Sequence, residues 1–223
     1  MNDERLFMST STLGRSDSGN IMQNIIYEYG DSLYINLTNR CSNDCTFCIR
    51  NFRDGVGNDP LWLEHEPTAA EVIAALGEKD LGKYGEVVFC GFGEPTCAFE
   101  VLLEVAEYLK KHGAVTRINT NGQSDLYNNT DDSARRLAPF IDEVSISLNA
   151  STAEKYDAVC RCVFGEQGFY AMLDFARDCV REGIDTVMSV VDCIGAEEIE
   201  ACRKVAESVG ARLRVRAMIE DGD

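Results

Sequence analysis

The chain has little histidine: two residues, His65 and His112, in 223. A metal site or acid–base relay built on imidazole therefore has almost nothing to draw on. Basic residues are sparse too, 21 Lys and Arg against 38 Asp and Glu, for a formal charge of −17. Nucleic-acid binders gain affinity by neutralising phosphates, and this chain has no basic cluster to do so. No apolar run nears the roughly 20 residues that span a bilayer. Residues 1–20 are polar, carry both charge signs and lack the apolar centre of a signal peptide. These absences point to a cytoplasmic protein with no nucleic-acid or membrane partner and a small-molecule substrate, neutral or cationic. Residues 1–20 read as a flexible lead-in, and 21–223 as one domain.

What is present is an alternation of two patterns. Segments 32–38, 85–93, 114–122, 142–150, 185–192 and 212–219 are rich in β-branched residues and read as strands. Between them, 67–79, 98–113, 131–140, 151–160, 168–183 and 196–210 read as helices. Thr68 and Glu71 have capping-box spacing, and Gly113 and Gly210 are stop signals. Strand–helix alternation implies an α/β fold with a parallel sheet and right-handed crossovers. About six units are too few for an eight-unit barrel of about 250 residues. An open partial barrel and a doubly wound sheet remain. Either places its site at the C-terminal strand ends. The polar clusters "NRC", "GFGEP", "NTNG" and "SLNA" all fall there.

There are ten cysteines, and Cys41, Cys45 and Cys48 form the one tight triplet, spaced C-x3-C-x2-C in "NRCSNDCTFCIRN". Cytosolic thiols stay reduced, so these are core-filling thiols or metal ligands. Structural zinc sites are closed and normally take four ligands. A four-iron cluster accepts three thiolates and leaves one iron open. Incidental thiols, zinc and an iron–sulfur cluster are all readings of the spacing.

"CSNDCTFC" resembles the cluster motif of the radical S-adenosylmethionine (radical SAM) superfamily, including the aromatic Phe47 before the third cysteine. The resemblance implies the partial (β/α)6 TIM-like barrel of parallel strands. It implies a [4Fe-4S] cluster on Cys41, Cys45 and Cys48, and S-adenosylmethionine chelated at the open iron. Reductive cleavage of that cofactor would yield a 5′-deoxyadenosyl radical, with flavodoxin or ferredoxin as electron donor. Phe47 would pack beside the adenine. "GFGEPT" resembles the family's Gly-Gly-Glu-Pro motif, with Phe92 where glycine is commonest. Gly91, Gly93, Glu94 and Pro95 would then hold the methionine amino group. By position in the fold, Asn119, Asn121, Ser147, Asn149, Val191 and Asp192 would contact ribose, carboxylate and adenine. The Asn and Asp among them also suit helix caps and Asx-turns.

Arg50, Asn51 and Arg53 follow the cluster loop, as substrate ligands or as counter-charges. Arg214 and Arg216 alternate on the last strand and share a face, turned to substrate or to solvent. Cys160 and Cys162 read as core or loop thiols, leaving one cluster. "LYINLTNRCSNDCTFCIRN" looks like the compact TatD-associated type and is similar to queuine lyases, which convert queuine to preQ1 in queuosine salvage. A 7-carboxy-7-deazaguanine synthase-like ring contractase, a glycyl-radical activating enzyme and a non-catalytic iron–sulfur or zinc module are the alternatives.

Overall fold

A computed structural model describes residues 24–57 and 59–217. The lead-in at 1–20 lies outside the described residues. The chain enters through β1 (Ile26–Tyr29), turns at Gly30 with φ +62, and returns as β2 (Ser32–Ile35). The cysteine loop follows, then a small hairpin of β3 (Gly55–Val56) and β4 (Asp59–Pro60). Regular alternation then begins with α1 (Ala69–Gly77), β5 (Glu86–Phe89), α2 (Phe99–Lys111) and β6 (Thr116–Thr120). Two short helices, α3 (Ser124–Asn128) and α4 (Ser133–Leu137), lead to β7 (Glu143–Ser147). The remainder is α5 (Ala153–Cys160), α6 (Gln167–Arg181), β8 (Asp185–Val191), α7 (Ala196–Ser208) and β9 (Arg212–Arg216).

The sheet runs β1-β2-β5-β6-β7-β8-β9. From β2 onward every pair is parallel, and the order follows the chain, as in a partial TIM-like barrel. Two expectations need correcting. An antiparallel strand, β1, adds to the edge where only parallel strands were expected. The helix expected over 131–140 is shorter and is preceded by α3; Asn129, at φ 50, takes the left-handed turn that ends α3.

Helix placement follows from spacing. In α2, Leu102, Val105, Ala106 and Leu109 lie on one stripe and are all fully buried. Burying each large apolar side chain contributes roughly 1.5–3 kcal/mol. In α1 the capping box forms: Glu71 N donates to Thr68 Oγ1 at 3.3 Å, and Thr68 N donates to Glu71 Oε2 at 2.8 Å. The helices cover one face of the sheet, where Val87, Phe89, Ile118, Val144, Ile146 and Met188 join the main core. Alternation turns the other residues of each strand to the inner face. That face is polar. Arg117 bonds Glu86 twice, at 2.9 and 2.5 Å, and Asn119 at 2.7 Å. Arg214 donates to Ser145 Oγ at 2.6 Å and lies 3.6 Å from Glu143. Among the described residues no helix is long and apolar enough to cross a membrane.

Candidate functional site

The inner face opens at the C-terminal ends of the strands, and the cysteine loop lies there. The loop follows β2 and is pinned to the far side of the sheet by backbone bonds. Asp44 N donates to Cys160 O at 3.0 Å, Thr46 N to Val159 O at 2.9 Å, and Val163 N to Ser42 O at 2.9 Å. Its own turns close with Cys48 N donating to Cys45 O and Asn51 N to Cys48 O. Asn51 Nδ2 also donates to Cys45 O at 3.1 Å, and Arg50 Nη2 to Asn43 O at 3.1 Å. Arg50 and Asn51 thus bind the loop itself. Phe47 is exposed on the loop.

The three thiols share an environment. Burial, and after it the Glu94 carboxylate, push Cys41 up to about 12. A hydrogen bond with Cys160, and then burial, raise Cys45. Burial raises Cys48. The Arg50 guanidinium opposes all three shifts, so one cation serves the whole triplet. Among the described residues, no three Cys, His, Asp or Glu side chains converge as a single-ion site requires. His65 bonds Glu71, and His112 bonds Tyr108 O at the end of α2. Three thiols and one cation suit a four-iron cluster with three of its irons each bound to one cysteine sulfur, whereas closed zinc normally takes four protein ligands.

The "GFGEP" loop lies directly against the cysteine loop. A Cβ on Gly91 would meet Asn36 Oδ1 at 2.0 Å; one on Gly93 would meet Thr38 O at 2.2 Å and Arg40 O at 2.6 Å. These glycines therefore permit close approach between two segments of the chain, where approach to a ligand was expected. Phe92, at the motif's unusual position, is buried in a satellite core with Tyr27 and Leu61 and meets Trp62 edge-on at 5.0 Å. Pro95 is buried at the start of the next turn. Glu94 N donates to Arg40 O at 2.7 Å. The Glu94 carboxylate accepts four bonds. Thr96 N, Thr96 Oγ1 and Thr120 Oγ1 reach Oε1 at 3.0, 2.7 and 2.8 Å; Asn121 N reaches Oε2 at 2.7 Å. Burial raises its pKa, and these donors pull against that rise. Oε2, with one donor, retains capacity for another.

The other expected residues divide. Asn121 is buried and donates to Ser42 Oγ at 2.8 Å, with Cys41 Sγ at 3.9 Å. Asn149 takes φ 59, donates to Cys160 Sγ at 3.4 Å, and keeps a buried Oδ1 with no partner among the described residues. An orphaned acceptor at a strand end fits a ligand donor. Ser147 and Val191 end β7 and β8 half-buried, and Asp192 begins the exposed turn after β8. Asn119 lies one level down, engaged by Arg117. Arg53 is half-buried beyond the loop. Arg214 and Arg216 alternate on β9 and share a face; burial, and after it the Arg214 and Arg117 guanidiniums, lower the Arg216 pKa, against the Cys90 thiol. Cys160 and Cys162 are buried in the main core.

Sequence reasoning missed Ser42, Asn43, Gln123 and Tyr156, a buried polar group under the cysteine loop. It also missed Glu86, Arg117 and Glu143 on the inner face. For the inner-face residues the signal was present. Strands of parallel sheets usually read as continuous apolar runs, whereas "EVSIS" and "TRINT" alternate polar and apolar residues.

Among solved structures, a radical SAM methyltransferase from Sphaerobacter thermophilus superposes with a TM-score of 0.60 at 19% identity, covering 86% of this chain and 57% of that one. Streptococcus suis SuiB bound to S-adenosylmethionine gives 0.59 at 18%, covering 86% and 39%. TsrM from Kitasatospora setae, with cobalamin and a [4Fe-4S] cluster bound, gives 0.56 at 12%, covering 83% and 36%. The chain thus spans well under two thirds of these proteins, and the likeness is one of fold. No curated protein matches it. The Radical SAM superfamily model matches residues 35–209, from the end of β2 through α7. The cysteine loop, the Glu94 loop and the strand-end residues Asn121 and Asn149 all lie inside that span, and the chain belongs to the radical SAM superfamily, whose [4Fe-4S] cluster and S-adenosylmethionine are its cofactors.

Proposed function

We propose that this enzyme holds its cluster on Cys41, Cys45 and Cys48 and acts on a small molecule bound over the inner face of the sheet. The observation that carries this is the position of the three-thiol loop, at the C-terminal strand ends beside the buried Glu94 carboxylate. When bound, the cluster and S-adenosylmethionine supply a 5′-deoxyadenosyl radical. The chain supplies position and charge. Arg50 offsets the anionic charge of the loaded loop. Glu94 Oε2 and Asn149 Oδ1 accept from the cofactor's ammonium and ribose, and Phe47 covers the adenine. The electron comes from a small donor of the flavodoxin or ferredoxin class.

For the substrate, we take queuine, cleaved to preQ1 by a lyase reaction, on the motif similarity of residues 33–51. Glu143 Oε1, 3.6 Å from Arg214 Nη2 and 3.9 Å from Arg117 Nε, is buried and accepts no hydrogen bond among the described residues, and would accept one from a guanine-like edge. The test incubates reduced, iron-loaded protein with S-adenosylmethionine and queuine. Production of preQ1 is expected. 5′-Deoxyadenosine without preQ1 overturns the substrate; iron-loaded protein that yields neither overturns the radical assignment. A second reading has its own observation. Arg216 has no carboxylate partner among the described residues, unlike Arg117 and Arg214. An acid-bearing substrate, as for a ring contractase, would supply one. Turnover of a pterin carboxylic acid in place of queuine would favour it.

A further inference from the structure

We infer that Gln123 is a positioning residue for the cluster loop, and that through it the fold raises the electron affinity of the cluster. This rests on the assignment of Cys41, Cys45 and Cys48 as cluster ligands.

Gln123 follows β6 and is 1% exposed. Its amide uses every hydrogen-bonding position it has in this setting. Oε1 accepts from Ser42 Oγ at 2.7 Å and from Cys162 Sγ at 3.2 Å. Nε2 donates to Asn43 Oδ1 at 3.1 Å and to Tyr156 OH at 2.8 Å. Two stretches distant in sequence therefore meet on one side chain: the loop after β2, and helix α5 with the turn at Cys162 that follows it. The network closes on itself. Asn43 Nδ2 donates to the same Tyr156 hydroxyl at 3.0 Å, and Gln123 N donates to Asn121 Oδ1 at 3.0 Å. The space is full. A Cβ on Gly168, at the start of α6, would lie 2.5 Å from Cys162 Sγ and 2.9 Å from Gln123 Nε2.

The two residues held by Gln123, Ser42 and Asn43, follow Cys41 directly. With both side chains fixed, the backbone between them has one orientation. In it, Asn43 N–H points at Cys41 Sγ, at 3.4 Å. Asn121 Nδ2, shared with Ser42, approaches the same sulfur at 3.9 Å. Donors aimed at a ligand sulfur stabilise the extra negative charge of a reduced cluster and raise its potential. No residue of this network carries a formal charge, so its effect comes from dipoles whose direction the fold sets. Such networks weaken as a unit when one member is lost.

The experiment is an anaerobic potentiometric titration of the reconstituted full chain, followed by electron paramagnetic resonance, with iron measured on each sample. Gln123→Leu removes all four bonds. Its cluster should be harder to reduce: at one fixed solution potential, about a tenfold lower ratio of reduced to oxidised cluster, or 59 mV for one electron. Tyr156→Phe removes the shared hydroxyl and keeps the ring against Phe169, at 5.8 Å between centroids; a smaller shift of the same sign is expected. An unmoved midpoint in Gln123→Leu, with full iron, overturns the inference. Where Gln123→Leu fails to fold or to hold iron, Tyr156→Phe decides, and an unmoved midpoint there is equally fatal. Failure of the unmodified protein to load iron defeats instead the ligand assignment beneath it.

Discussion

Replacing Glu94 by glutamine keeps the volume and removes one acceptor oxygen from a carboxylate whose two oxygens both accept hydrogen bonds. An amide has one oxygen and one NH2 group. With NH2 in place of Oε2, it faces Asn121 N–H, 2.7 Å away; in place of Oε1, it faces Thr96 N–H at 3.0 Å. The threonine hydroxyls can rotate to donate elsewhere, but neither backbone N–H can. Either orientation thus leaves one buried N–H opposed by another donor. An unmet buried donor costs about 1–3 kcal/mol. Loss of the charge-assisted bonds adds to this, so Glu94→Gln should destabilise by about 2 kcal/mol. In a chain of this size, each kcal/mol lowers Tm by about 2–4 °C, giving a fall of about 4–8 °C. The assay is thermal and urea unfolding of cluster-free protein, so that no cofactor contact enters. A variant melting within about 1 °C of the parent, with the same urea midpoint, would refute the reading of Glu94 as a tie between two loops.

Gly93→Ala should cost about 1–3 kcal/mol, the usual penalty for an atom forced into packed backbone, since its Cβ meets two carbonyl oxygens; urea midpoints at unchanged slope measure it. The Arg117 guanidinium, against some burial, holds Glu86 below the usual carboxylate range. A depressed folded pKa contributes stability that is present above about pH 4.3 and lost as pH falls through the folded value. Glu86→Gln should therefore flatten the acid limb of the stability curve below that pH, and an unchanged acid limb would count against the pair. Alanine at Cys41, Cys45 or Cys48 should each cut bound iron sharply after reconstitution. Alanine at Cys160 should leave it near the parent value, which separates the three proposed ligands from a thiol that is hydrogen-bonded to Cys45 and Asn149.

Much of the architecture was legible because local rules agreed with it. Stop signals at Gly113 and Gly210 and the capping box at Thr68 placed helix ends to within a residue or two. β1 was overlooked although Gly30-Asp31 marks the hairpin turn; four residues of mixed polarity gave it too little periodicity. The cysteine triplet and "GFGEP" were legible as contiguous motifs. What Glu94 does was not, because two of its four donors, Thr120 Oγ1 and Asn121 N, come from the end of β6 and the residue after it. The Gln123 group was invisible for a stronger reason. Its members lie 33, 80 and 81 residues from Gln123, and none belongs to a spacing that chemistry demands. Buried polar groups of this kind are specified by satisfaction in three dimensions, which one-dimensional patterns do not encode.

The backbone bonds from Asp44 and Thr46 to α5, and from Val163 back to Ser42, have a consequence for the life of the protein. In small metal-dependent modules the ion is the keystone, and its loss unfolds the chain. Here the ligand loop is stitched to a helix and a sheet that owe nothing to iron. Oxidative loss of the cluster would leave an emptied but intact vessel, with its thiols still in place. Such a protein can be refilled and need not be replaced.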